Sequence, residues 1–138
     1  MLQTAVSGHA RASRKGAFRA RFLIVDGDRA EQGDWTLLKL RKEAARENFC
    51  VIAQRPRHEA VLYRLFRGNE RKTPAASAID ARLSRHWPDY QKPATFQMLR
   101  SRYSLDDFRR LAESDEDIKI LAIRIGLVAP MERRRSAR

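Results

Sequence analysis

Two short runs of apolar residues, separated by a segment with helical periodicity, stand out in the first half of the sequence. The first run ends at Val25 and is followed by Asp26-Gly27-Asp28, and the second spans residues 49–53. Short apolar runs bounded by turn signals are typical of strands that are buried on both faces of a parallel sheet. Between the runs, residues 35–48 place Leu and Ala at helical spacing. Residues 19–53 are therefore predicted to form a βαβ unit.

The remainder of the chain is dominated by helical patterns. Apolar residues at three- and four-residue spacing predict helices over residues 58–68, 75–87 and 95–103. The predicted fold class is therefore α/β, with a small parallel sheet followed by several helices.

Two capping signals precede the last helical patterns. Ser104 with Asp107 has the spacing of a capping box, and Ser114 with Asp117 repeats it. The apolar segment that follows, residues 118–128, is rich in Ile and Val, so a strand is the alternative to the helix that the cap favours.

Charge is unevenly distributed over the predicted domain organisation. Residues 1–18 read as a basic flexible arm, residues 19–128 as one domain, and residues 129–138 as a basic tail. Lys and Arg number 29 against 17 Asp and Glu, which gives a net charge of +12. Such a charge attracts polyanions, and the excess of Arg suits phosphate, so we expect a nucleic acid partner, DNA or RNA. A charge that serves only solubility is the alternative.

Cysteine content and hydropathy indicate the compartment. Cys50 is the one cysteine, so no disulfide forms within the chain, which agrees with a reducing environment. The sequence contains no apolar stretch of the length of a membrane span and no apolar signal-peptide core. We therefore expect a cytoplasmic protein with no membrane partner.

Asp26 and Asp28 are the strongest candidates for chemistry. They follow the first predicted strand, at the carboxyl edge where parallel sheets bind ligands. Paired carboxylates suit Mg²⁺ or Mn²⁺, and such an ion can stabilise the leaving oxygen of a phosphodiester. The alternative is a turn, because Asp-Gly is common where a strand ends.

Glu59 and His58 lie in the first turn of the next predicted helix, close to the same edge. Glu59 is a candidate supporting acid, although a carboxylate there also complements the helix dipole. His58 is a candidate base or phosphate contact, or a polar surface residue.

A cluster of basic residues surrounds this helix. Several recur at spacings that place them on one helical face, which suits a phosphate backbone; a solvated helix surface is the equal alternative. The residues predicted to contact nucleic acid are Arg55, Arg57, His58, Arg64, Arg67, Arg71 and Lys92.

The series "FLIVDGD", "EAARENFCVIAQRPRHEAVLYRLF" and "WPDYQK" resembles the C-terminal portion of RloB-like proteins, which belong with the Toprim-type domains of bacterial defence loci. The resemblance covers roughly residues 20–125. The positions that match the family's pattern are Asp26, Asp28, Pro56, Glu59, Leu62, Phe66, Tyr90 and Lys92.

This resemblance implies a Toprim-like fold and metal-dependent cleavage of nucleic-acid phosphodiesters in antiviral defence. Asp26, Asp28 and Glu59 would be the catalytic residues, with Asp26 and Asp28 holding the metal. The family's earlier strand, which ends in a catalytic Glu, has no counterpart, because residues 1–19 contain no Glu. A non-catalytic subunit that binds nucleic acid or a partner protein is therefore the alternative.

The predicted sheet has only two strands, and its faces and edges need partners. We therefore expect a homo-oligomer, a second chain or a further strand of this chain to complete it.

Overall fold

The computed structural model describes residues 20–30 and 36–129, and the described elements alternate between strand and helix only at the start. In order they are β1 (Phe22–Asp26), α1 (Gly27–Ala30), α2 (Leu37–Arg46), β2 (Cys50–Gln54), α3 (His58–Leu65), a 3₁₀ turn (Ala76–Ala78), α4 (Ile79–His86), α5 (Phe96–Arg102), α6 (Leu105–Ala112) and α7 (Glu116–Arg124). The predicted arm lies outside the described residues, as does the predicted tail beyond residue 129. None of the described helices is both long and apolar enough to cross a membrane.

The predicted βαβ unit is confirmed. β1 and β2 pair in parallel, with Phe22 opposite Cys50 and Asp26 opposite Gln54. Helix α2 begins where the side chain of Thr36 accepts a hydrogen bond from the backbone N–H of Lys39, and its apolar stripe packs on the sheet. This smaller core consists of Leu23, Val25, Leu37, Leu40, Ala44, Val51 and Ala53.

Burial of both faces of β1 was expected, and the structure corrects this. Leu23 and Val25 are buried under α2, whereas Ile24, on the opposite face, is 53% exposed. Alternate residues of a strand point to opposite faces, so helix packing on one side leaves the other side open. The neighbouring strand β2 is more enclosed, because three successive residues, including Ile52, are buried.

The outer edge of β2 is covered by a side chain of α7. Asp117 Oδ2 accepts a hydrogen bond from the backbone N–H of Ala53 at 3.3 Å, and Arg41 of α2 forms an ion pair with the same carboxylate. A carboxylate thus satisfies a strand N–H that another strand would otherwise bond. The described residues contain no third strand, and completion of the sheet by a second chain stays a prediction.

Helices α3 and α4 lie side by side and run in the same direction. At their starts, Arg57 Nη2 lies 2.6 Å from Asp80 Oδ2, and at their ends the rings of Phe66 and His86 stack. The larger core lies between this pair and the last two helices. The two helices therefore begin in one region of the surface and end in another.

The capping predictions have different outcomes. The capping box of Ser104 and Asp107 is present at the start of α6. At α7 the predicted cap, Ser114, is wrong: Asp115 is the N-cap and accepts a hydrogen bond from the N–H of Ile118 at 2.9 Å. Asp117 is drawn instead to the sheet edge. The helix that the sequence favoured over residues 118–128 is confirmed as far as Arg124, where it ends.

Candidate functional site

Asp26 ends β1 and stabilises the start of α3. Its Oδ1 accepts a hydrogen bond from the backbone N–H of His58 at 2.9 Å. The first N–H groups of a helix have no partner within the helix, so this carboxylate acts as a long-range cap and complements the helix dipole. One oxygen of the predicted metal ligand is therefore engaged in the fold. His58 is also held by Gln54, whose Nε2 lies 3.0 Å from His58 Nδ1.

Asp28 lies beside Asp26 at the carboxyl edge of the sheet, in the short helix α1. Its backbone N–H donates to the carbonyl of Pro56 at 3.0 Å, and its side chain is exposed. At Gly27 the chain runs close to this segment, since a Cβ there would lie 3.1 Å from Cγ of Arg55 and 3.4 Å from the carbonyl oxygen of Pro56. Arg55 is itself exposed, so one predicted carboxylate and one predicted phosphate contact face solvent at this edge.

Glu59 belongs to a group of four alternating charges, which we call the ionic network: Arg57, Glu59, Asp80 and Lys92. Glu59 is buried, with Oε1 2.6 Å from Lys92 Nζ and Oε2 3.3 Å from Arg57 Nε. Asp80 accepts from Arg57 and lies 3.7 Å from Lys92 Nζ. The connector after α4 is thereby attached to the start of α3.

The ionic network favours the charged form of Glu59. Burial acts to raise the pKa of this carboxyl, but the hydrogen bond from Lys92 and the charges of Lys92 and Arg57 outweigh burial and hold the pKa below its ordinary value. The same hydrogen bond raises the pKa of Lys92. Glu59 is therefore an ionised partner of two cations, in contrast to a general acid, which needs a raised pKa.

The three predicted catalytic carboxylates differ in their partners. Asp26 bonds a helix N–H, Glu59 bonds two cations, and Asp28 is exposed. Within residues 20–30 and 36–129, no three His, Cys, Asp or Glu side chains form a group that could hold a metal ion. The donors present do not fit a metal centre formed by all three carboxylates. Asp26 and Asp28 as ligands of Mg²⁺ or Mn²⁺ stay a prediction.

The basic residues predicted to bind nucleic acid fall into two sets. Arg57 and Lys92 are neutralised in the ionic network, and Arg64 is buried with Nη1 2.7 Å from Asp115 Oδ2. Arg67 and Arg71 are exposed. The helical face predicted to be shared by Arg57, Arg64, Arg67 and Arg71 does not exist, because α3 ends at Leu65 and the chain turns away.

A second region contains exposed cations after the end of α3, within α4 and at the end of α5, and we call it the basic surface. Gly68, with φ of 85°, turns the chain after α3 so that the following loop lies beside the end of α4. None of these cations forms an ion pair with another described residue. The basic surface consists of Arg67, Arg71, Lys72, Arg82, Arg85 and Arg102.

An aromatic stack lies within the basic surface. The rings of Phe66 and His86 are 5.0 Å apart at 24°, and the guanidinium of Arg102 lies 5.3 Å from the centroid of Phe66. Arg102 also donates a hydrogen bond to the backbone carbonyl of His86. The ends of three helices are therefore joined by side chains that combine a flat ring with positive charge.

Comparisons with family models, with curated proteins and with solved structures found no match to this chain. The resemblance to RloB-like proteins therefore stays a prediction.

Sequence reasoning missed His86 and Arg102, and a signal for them exists. Each of three consecutive helices ends in adjacent basic and aromatic residues: Phe66-Arg67, Arg85-His86-Trp87 and Arg102-Tyr103. One basic residue next to one aromatic residue at a helix end is a weak signal of function. Their repetition at the ends of helices that pack together predicts one composite surface.

Proposed function

We propose that the protein binds nucleic acid, without cleaving it, through the basic surface. The observation that carries this proposal is a difference between two sets of cations: one set has acidic partners, and the other has none among the described residues. The six residues of the basic surface are exposed and form no ion pair among the described residues, whereas Arg57, Arg64 and Lys92 all have acidic partners.

Unpaired cations are the ones that phosphate can use. An Arg already bonded to a carboxylate must lose that bond before it contacts phosphate, whereas an exposed cation without a carboxylate partner has no ion pair to lose. Residues 66–102 contain eight Lys and Arg against three Asp and Glu, and Asp80 and Glu70 are themselves engaged by cations. The local field therefore attracts a polyanion.

The state of the predicted catalytic residues supports binding over cleavage. Asp26 contributes one oxygen to the start of α3, and Glu59 already has two cations as partners. Glu59 would lose a cation partner if it took up a metal or a proton, because both of its oxygens are engaged, whereas Asp26 keeps a second oxygen. Binding of nucleic acid without cleavage therefore requires no rearrangement of the described residues.

The salt dependence of binding tests this proposal. With a fluorescent 20-nucleotide DNA or RNA, we expect the logarithm of the association constant to fall linearly with the logarithm of the salt concentration. If all six cations contact phosphates, the slope is about −4 for a single strand and about −5 for duplex DNA. Absence of binding at about 50 mM salt, or a slope near zero, overturns the proposal.

Metal-dependent cleavage is a second candidate, because Asp26 and Asp28 both lie at the carboxyl edge of the sheet. Mg²⁺ in phosphate-processing sites takes one or two carboxylates together with substrate oxygens. Asp28→Asn is the cleaner test, since Asp26 also caps α3. Cleavage of DNA or RNA by the wild type with Mg²⁺, lost in Asp28→Asn, would support this second candidate. No cleavage by the wild type would exclude it.

A further inference from the structure

We infer that the exposed ring of His86 is a stacking site for an unpaired base, so that the basic surface binds single-stranded nucleic acid in preference to duplex. The inference rests on the proposed function and adds the class of nucleic acid. Bases enclosed in a duplex stack on one another, whereas the bases of a single strand offer free faces to aromatic side chains.

The ring of His86 is supported from behind by other rings. Phe66 stacks on it at 5.0 Å, and Tyr63 lies 5.4 Å away at 57°. Tyr63 is buried and Phe66 is half-buried, while His86 is exposed. An exposed ring that packs on a buried ring and a half-buried ring offers a flat surface whose side-chain entropy is already partly lost.

Asn69 holds the edge of the His86 ring in place. Lys72 Nζ lies 2.6 Å from Asn69 Oδ1, and Lys is only a donor, so Oδ1 accepts. Asn69 Nδ2 then donates to the carbonyl of Tyr63 and to His86 Nε2 at 3.3 Å. Nε2 thus acts as an acceptor, and the ring orientation is determined by a buried side chain.

Cations lie close to this ring and would supply positive charge for the phosphates of a stacked nucleotide. Lys72 bonds Asn69, which in turn bonds the ring of His86, and Arg102 donates to the backbone carbonyl of His86. Arg85 adjoins His86 in α4, and Arg82 lies one helical turn before it. A ring with surrounding positive charge is the combination that single-strand binding proteins use for base and backbone together.

Three probes of equal length separate stacking from attraction to phosphate: a 20-nucleotide single strand, the same sequence as duplex, and an abasic strand. We expect the single strand to bind more tightly than the abasic strand at equal salt. Since stacking on one ring is worth roughly tenfold in affinity, His86→Ala should weaken single-strand binding about tenfold. Binding of the abasic strand and of the duplex should change less than about twofold.

Two further variants keep the result interpretable if His86→Ala perturbs the fold. His86→Tyr retains a flat ring and should restore single-strand affinity to within about threefold of the wild type. Phe96→Ala removes a ring that is 73% exposed at the start of α5, at the opposite end of that helix from Arg102, and should leave all three affinities unchanged. Thermal unfolding of each variant reports folding.

The outcomes distinguish this inference from the proposed function. Equal weakening of all three probes by His86→Ala, or no weakening of the single strand, overturns the stacking site while leaving nucleic acid binding in place. Failure of the wild type to bind any probe overturns both.

Discussion

The two ends of the α3–α4 pair both contain cations, but only one end neutralises them. At the start of the pair, Arg57 and Lys92 lie against Glu59 and Asp80. At the other end, the cations of the basic surface have no acidic partner in the described part of the chain. The first arrangement contributes to the fold and the second leaves charge for a partner. Basic residues close together in sequence therefore differ in function according to their partners in space.

Arg64 and Arg67 give this comparison in its sharpest form. Substitution of Arg64 has the largest expected effect on stability. Arg64→Gln should lower the free energy of unfolding by about 3 kcal/mol, because it leaves Asp115, whose side chain is only 12% exposed, without its ion pair. Arg67→Gln should change it by less than about 0.5 kcal/mol, since Arg67 is exposed. Urea denaturation measures both. Similar losses for the two variants would break the distinction.

The ionic network should respond next most strongly. Glu59→Gln is expected to cost about 2 kcal/mol, because the buried carboxylate is the common partner of Arg57 and Lys92. Glu116→Gln is the matched control: its side chain is 77% exposed and should have little effect.

The pH dependence of that cost follows from the direction of the pKa shifts. The pKa of Glu59 is lower in the folded chain than its ordinary value of 4.5, so the unfolded chain takes up the proton first as pH falls. The stability difference between wild type and Glu59→Gln should be full at neutral pH and decrease below about pH 5. The pKa of Lys92 is raised above 10.5, so its contribution should persist through neutral pH and be lost only at higher pH. A difference that increases on acidification would contradict this.

Asp26 and Asp28 provide a smaller comparison at the sheet edge. Asp26→Ala removes the cap of α3 and should cost about 1 kcal/mol. Asp28→Ala should cost less than about 0.5 kcal/mol, because its carboxylate is exposed. Chemical denaturation without added metal measures both. A larger loss for Asp28→Ala would show that the two roles are assigned the wrong way round.

Local signals predicted much of the fold. The strands and α2 follow from runs and periodicities within a few residues, and the Ser104–Asp107 cap is formed by neighbours. Where the prediction was wrong, the partner lies far along the sequence: Asp117 is drawn from its predicted cap by Ala53 and Arg41. The exposed face of Ile24 likewise depends on where distant helices pack.

The candidate site was less predictable for the same reason. Arg64 and Arg67 look alike in the sequence, and only the position of Asp115, about fifty residues later, separates a buried ion pair from an exposed charge. Asp26 was recognised as important, but its hydrogen bond to His58 could not be read from spacing. The Phe66–His86 stack forms because α3 and α4 are parallel neighbours, and this arrangement does not follow from local sequence patterns.

The central claim is that binding depends on the unpaired cations of the basic surface rather than on net charge. Two triple variants with the same change in charge test it: Arg67→Gln/Arg82→Gln/Arg85→Gln, and Lys42→Gln/Arg46→Gln/Arg124→Gln, which are exposed elsewhere. The first should weaken binding of a 20-nucleotide strand at least tenfold and flatten the salt slope by about two, and the second should change affinity less than about threefold. Equal weakening by both triples would contradict the account.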